Sequence, residues 1–150
     1  MNHVILVVDD EVAVRALVGL ELRQQGYQVI AVGSVSEAIA ALKVQAFDLV
    51  ISDIILGEGD GFELLEWVRS RDRQVPFVLM TGMDFDDELV QQAFKKGATS
   101  FLSKGLSLFR FHDEVQRVLN GKMRLPADSQ PGFILPFPGT NLREDTGKRQ

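Results

Sequence analysis

The sequence predicts an α/β fold, a five-stranded parallel sheet with helices on both faces, and three observations predict it. Between Val4 and about Asn120, short apolar runs alternate five times with longer segments of helical period, the pattern of parallel strands joined by crossover helices. Three of the runs are almost wholly apolar, as strands covered on both faces should be. After Asn120 the periodicity stops, and residues 121–150 hold four of the five prolines without a helix-length or strand-length apolar pattern. Residues 1–120 are therefore read as one domain and 121–150 as a flexible tail or linker. Its patch FILPFP, 133–138, is apolar enough to dock on a partner or on the domain itself.

Taken in order, the first strand is VILVV, 4–8, and the helix after it carries Val14, Leu17, Val18 and Leu22 at helical spacing before Gly26, where a left-handed residue can end it. YQVIAV, 27–32, is the second strand, and Ser34 or Ser36 can cap a helix bearing Ala38, Ile39 and Leu42. FDLVIS, 47–52, is the third, followed by a helix with Phe62, Leu65 and Val68. FVLM, 77–80, is the fourth. The next helix begins in the acidic stretch 84–88, which suits the positive end of a helix dipole, and closes on Lys95, Lys96 and Gly97, which suit the negative end. TSFL, 99–102, is the fifth strand, and Leu108, Phe111, Val115 and Val118 keep register in the last helix. The first, third and fourth strands belong in the middle of the sheet. Together these elements make a doubly wound, flavodoxin-like three-layer α/β/α sandwich.

With 150 residues, 45% hydrophobic and 25% charged, the chain can bury one sizeable core. It has no cysteine, which removes disulfides and thiolate metal sites, and His3 and His112 are too few for a histidine-rich metal centre. No apolar run approaches the roughly 20 residues that span a bilayer, and no cationic-then-apolar leader opens the sequence. The expectation is a cytoplasmic protein without membrane contact. A net charge of -5 argues against direct nucleic-acid binding. That charge divides unevenly, with 11 basic against 18 acidic residues over 1–120 and 5 against 3 over 121–150.

An open parallel sheet gathers its reactive groups at the carboxyl ends of the strands. There the first strand delivers Asp9, Asp10 and Glu11, the third Asp53 and the fourth Thr81, while Lys104 follows the fifth. Carboxylates brought together repel one another and cost desolvation energy unless something neutralises them. An oxygen-only group of three aspartates suits a hard divalent cation, and Mg2+ is the natural candidate. Each residue also has a plainer use. Asp9, Asp10 or Glu11 can cap a helix, Asp53 and Thr81 can form turns, and Lys104 can be a solvated surface charge. Four independent strand ends carrying the residue types of one phosphoryl-transfer site favour the joint reading.

The stretches VILVVDDE, FDLVISDIILGEGDGFELL, VLMTG and KKGATSFLSK resemble, in order and at similar separations, the motifs of the receiver domain of two-component response regulators, over roughly residues 3–120. The resemblance implies that Asp53 is the phospho-acceptor, and that Asp9, Asp10, Asp53 and the backbone carbonyl of Ile55 hold Mg2+. It further implies that Thr81 and Lys104 bind the phosphoryl oxygens and that Phe101 is the switch aromatic, whose plainer reading is a core aromatic at a strand end. Ile55 and Met83 fall where the family tunes the lifetime of the phosphoryl group; two apolar side chains beside the path of an attacking water imply a long-lived phospho-form.

By the same resemblance, the chain is a signalling domain rather than a metabolic enzyme, and it catalyses its own phosphorylation and dephosphorylation at Asp53. Its donor is the phosphohistidine of a histidine kinase or phosphotransfer protein. Mg2+ and Lys104 are expected to hold the Asp53 pKa down. Output runs through the surface of the fourth helix, fifth strand and fifth helix to a downstream protein or a covalently linked output domain, and a homodimer through the fourth and fifth helices is allowed. Two departures from the family stand out: Gly105 replaces the proline that commonly follows the lysine, and Gly57 replaces a second customary proline. Neither removes a reacting group. The other reading weighed is a receiver-like interaction module that is never phosphorylated. A dinucleotide site fits poorly, since acids after the first strand would repel pyrophosphate, and the loop GEGDG lacks the alternating acids of an EF-hand.

Overall fold

The computed structural model describes residues 2–71, 73–82 and 86–121. Strand and helix alternate throughout: β1 Val4–Val8, α1 Val12–Gln24, β2 Gln28–Val32, α2 Val35–Val44, β3 Leu49–Asp53, α3 Gly61–Ser70, β4 Phe77–Thr81, α4 Asp87–Lys95, β5 Ser100–Ser103 and α5 Leu108–Leu119. Every strand pairing is parallel, in the order β2-β1-β3-β4-β5. The three most apolar strands are therefore the interior ones, as predicted. Beyond Gly121, the tail expected from the sequence lies outside the described residues.

Alternation along each strand sends successive side chains to opposite layers. Leu6 and Val8 enter the layer that α2, α3 and α4 close with Ala38, Leu42, Leu65, Val68, Val90 and Ala93. Ile5 and Val7 enter the other layer, closed by Leu22 of α1 and by Phe111, Val115 and Val118 of α5. The interior strands β1, β3 and β4 are thus covered on both faces, while the edge strand β2 leaves Gln28 and Ile30 exposed.

Four helices are capped by short side chains. Ser34 accepts from Glu37 N at 3.1 Å, so Ser34 rather than Ser36 caps α2. Asp60 accepts from Glu63 N, Asp86 from Leu89 N and Ser107 from Arg110 N. Gly26, at φ 96°, follows the end of α1, and Gly97, at φ 108°, follows α4, left-handed positions that favour glycine.

Two residues expected on the buried helix faces are exposed. Leu17 is 53% exposed and Leu108 47%. The face α1 turns to the sheet runs along Arg15, Val18, Gly19 and Leu22, in which Gly19 and Leu22 are buried. At about 100° per residue, Leu17 lies well round the helix from that line. The true stripe was hidden because a glycine and an arginine occupy it, and hydropathy does not mark either. Leu108 is the first residue of α5, where the helix has only begun. Conversely, Leu64 is fully buried although the spacing of Phe62, Leu65 and Val68 did not single it out.

Candidate functional site

The carboxyl ends of β1, β3 and β4, with the loop after β5, meet at one edge of the sheet. Parallel register sets this meeting: Val8 pairs with Ser52, Asp53 with Met80 and Thr81 with Ser103. Main-chain bonds then fix the loops that leave the strands. Asp9 N donates to Val32 O at 3.1 Å, Ile54 N to Met80 O at 2.9 Å and Lys104 N to Thr81 O at 2.9 Å. Asp9, Asp53 and Thr81 are buried, while Asp10 is exposed.

Each buried aspartate divides its two oxygens between structure and site. Asp9 Oδ1 accepts from Glu11 N at 2.9 Å, and Asp53 Oδ1 accepts from Ile55 N at 3.3 Å. The turn-forming use foreseen for Asp53 is therefore present, whereas Asp9, foreseen as a possible helix cap, bonds the main chain of the loop before α1. The second oxygens converge on Lys104, with Asp53 Oδ2 2.8 Å and Asp9 Oδ2 2.9 Å from its Nζ, and Glu11 Oε1 a third carboxylate at 2.9 Å. Lys104 is not a solvated surface charge; its side chain is only 16% exposed.

Burial raises the pKa of the Asp53 carboxyl; the hydrogen bond and charge of Lys104 pull it down, the Asp9 charge pushes it up, and the net direction is upward. Lys104 alone therefore does not hold the carboxyl down as expected. Burial lowers the Lys104 pKa, but hydrogen bonds to Asp53 and Glu11 and the adjacent Asp9 carboxylate outweigh it, and the ammonium is held above its usual range.

Carboxylate oxygens of Asp9, Asp10 and Asp53 all lie within 4.8 Å of one another. Asp9 Oδ2 is buried and makes no hydrogen bond, its contact with Lys104 being an ion pair only. Such an oxygen lacks a ligand of its own, and an all-oxygen, acidic donor set fits a hard cation such as Mg2+. Gly57 sits beside this group, since a Cβ there would lie 3.4 Å from Asp10 Oδ2.

At the lysine loop, Gly105 N donates to Ser103 Oγ at 3.0 Å, a bond that proline cannot make, and Lys104 reaches Asp53 without the proline. The Ile55 side chain is 55% exposed next to Asp53, and Phe101 is fully buried in the α2–α4 layer. Met83, the other expected lifetime-tuning residue, lies outside the described residues.

Two supporting residues escaped the sequence reading. Gly61, first residue of α3, would place a Cβ 2.4 Å from Asp53 O, so only glycine lets α3 begin this close to the end of β3. A glycine directly after the capping Asp60 was the available signal. Arg15 of α1 donates to Asp9 O at 2.7 Å and so holds the β1 loop, and nothing in its spacing announced that.

Fold and site together define a doubly wound domain with an acidic, lysine-bridged edge. The model of the response regulator receiver domain matches residues 5–116, and the chain belongs to this family. Among bacterial relatives, it is 32% identical over 115 residues to the transcriptional regulatory protein ZraR of Salmonella typhimurium, covering 77% of this chain and 26% of ZraR. It is 34% identical over 136 residues to the response regulator protein FleR of Pseudomonas aeruginosa, covering 91% of this chain and 28% of FleR. The chain thus spans about a quarter of the length of these two relatives. Among solved structures, the non-phosphorylated HemR receiver domain from Leptospira biflexa superposes with a TM-score of 0.72 at 30% identity, over 83% of this chain and 98% of that one. The chemotaxis response regulator CheY4 of Vibrio cholerae gives 0.73 at 29% identity, over 79% and 99%. The chain is thus a signalling domain of the two-component response regulators. Among the described residues, no helix is long and apolar enough to cross a membrane.

Proposed function

We propose that Asp53 accepts a phosphoryl group from the phosphohistidine of a histidine kinase or phosphotransfer protein, and that the modification alters the α4, β5 and α5 surface. The observation that carries this reading is the Asp53 Oδ2 to Lys104 Nζ contact of 2.8 Å beside the unbonded Asp9 Oδ2. A nucleophilic oxygen, a fixed cation and an open acidic donor set then stand within one small volume.

In the step itself an Asp53 oxygen forms a bond to phosphorus, and the bond from phosphorus to the donor nitrogen breaks. The imidazole leaves with that electron pair, neutral because its other ring nitrogen carries a proton. Lys104 stays protonated and donates to a phosphoryl oxygen, and Thr81, buried at the end of β4, would bind a second. Asp9 and Asp10, with Asp53 and the Ile55 carbonyl, would hold Mg2+, which when bound offsets charge on the phosphoryl oxygens and lowers the Asp53 pKa. Most of the rate enhancement then comes from positioning and electrostatics.

Thr81 moving toward the phosphoryl group would loosen the packing over Phe101 and shift α4. Since Phe101 is already buried, its part is a repacking inside the α2–α4 layer rather than a swing from solvent. The exposed Ile55 side chain stands beside the acceptor and hinders water, which favours a long-lived phospho-form. Intact mass after incubation with acetyl phosphate, with and without Mg2+, tests the reading. A Mg2+-dependent adduct of one phosphoryl group, absent in Asp53→Asn, is expected; a folded protein that stays unmodified would point instead to a constitutive interaction module.

A further inference from the structure

We propose that Glu11 is the releasable partner of Lys104, a positioning residue that occupies the ammonium until an incoming phosphoryl group takes its place; this rests on the reading of Asp53 as phospho-acceptor. Lys104 Nζ carries three N–H bonds and faces three carboxylates, Asp53 at 2.8 Å and Asp9 and Glu11 each at 2.9 Å. The Nζ hydrogen bonds go to Asp53 and Glu11, with Asp9 an ion-pair neighbour only, and a phosphoryl oxygen arriving at Asp53 competes with these anions for the ammonium. Asp53 is the nucleophile, and Asp9 is anchored through Oδ1 to the β1 loop. Glu11 has neither tie, and its side chain is 62% exposed, against 7% for Asp53 and 0% for Asp9. It can swing into water at little cost.

An independent observation comes from α1 itself. Glu11 occupies the N-cap of that helix with extended backbone, φ -87° and ψ 114°, yet its side chain caps nothing. Every other helix among the described residues has a serine or aspartate there that accepts from the first turn. Glutamate is one methylene longer than the aspartate favoured at this position, and that length carries the carboxylate to Lys104 instead of to the α1 amides. The cap of α1 is forgone, and the lysine gains a third anion.

The exchange is anion for anion. Glu11 leaves, a phosphoryl oxygen takes over its hydrogen bond, no covalent bond changes and Lys104 keeps its proton. The resting site is thereby screened, since an incoming anion competes with Glu11 for the charge and hydrogen bond of Lys104.

Two substitutions in the full chain test this. Glu11→Gln removes the charge at constant length, whereas Glu11→Asp keeps the charge, falls short of Lys104 and can cap α1. With acetyl phosphate below saturation and Mg2+ present, intact mass should show both variants labelled several-fold faster than wild type, and Glu11→Asp should also raise Tm. In metal-free protein, NMR should show the Lys104 ammonium hydrogens exchanging with water faster in both variants. Unchanged exchange, or labelling that is unchanged or slower in both, would overturn the proposal. Faster labelling of Glu11→Gln alone would replace the tether with plain charge repulsion and so overturn it too. A wild-type protein that takes no label sinks the reading of Asp53 instead, and the exchange measurement still decides whether Glu11 holds Lys104.

Discussion

Two partly buried cations at opposite edges of the sheet are satisfied in different ways. At the amino edge, Arg69 of α3 donates, among the described residues, to main-chain carbonyls only: twice to Gly97 O at 3.1 and 2.9 Å, and to Arg73 O and Val75 O at 2.8 and 2.7 Å. At the carboxyl edge, Lys104 is surrounded by the carboxylates of Asp9, Glu11 and Asp53. Carbonyl dipoles belong to the backbone and can neither titrate nor leave, so Arg69 staples the turn after α4 and the loop before β4. Carboxylates can be traded for phosphoryl oxygens or a metal. A cation held by side-chain acids is therefore suited to exchange, and one held by carbonyls to permanence.

Removing each cation should break a different property. In Lys104→Ala, Asp53 labelling by acetyl phosphate should fall by about 10²–10³, the cost of losing one preorganised donor to the developing charge. Labelling within twofold of wild type would remove Lys104 from the mechanism. Arg69→Leu leaves several carbonyls without their donor and should cost roughly 2–4 kcal/mol, lowering Tm by about 8 °C or more while labelling at low temperature stays near wild type. An unchanged Tm would show that Arg69 staples nothing.

A smaller effect separates the acids. The metal-free fold holds the Asp53 proton more tightly than the unfolded chain does, because the folded pKa is raised. Its ionisation therefore costs stability, a cost absent below the unfolded value of about 3.8 and growing as pH rises through the folded value. With chelator present, Asp53→Asn should be more stable than wild type, by a margin that widens with pH across this window and shrinks when Mg2+ is added. A margin independent of pH would contradict the raised pKa. Smallest of all, Leu17→Lys should change stability by no more than about 0.5 kcal/mol, whereas Leu22→Ala, further along α1 on its buried face, should cost about 2–5 kcal/mol. Equal losses in thermal denaturation would put Leu17 back in the core.

The five strands were legible because a strand buried on both faces has to be apolar almost throughout, and β1, β3 and β4 are. Helices were legible in existence and less so in orientation. Leu17 has the right residue type at the right spacing and still faces solvent, since Arg15 and Gly19 occupy the stripe that α1 turns inward. The site residues could be named from the ends of the strands, because parallel crossovers bring those ends to one edge. Gly61 was not named, because a close approach between β3 and α3 leaves no mark in hydropathy beyond the glycine itself.

By itself, the sequence determined the order of the elements, the middle strands of the sheet and the set of polar groups at its carboxyl edge, because period, apolar continuity and chain order are local properties. Only the tertiary structure decided that three carboxylates share one ammonium, that Asp9 and Asp53 each give one oxygen to a turn and one to the site, and that Glu11 reaches Lys104 instead of capping α1. Those outcomes depend on distances between residues up to 95 positions apart in the chain, Asp9 and Lys104. Strand register and loop closure set such distances, and neighbouring residues do not record them.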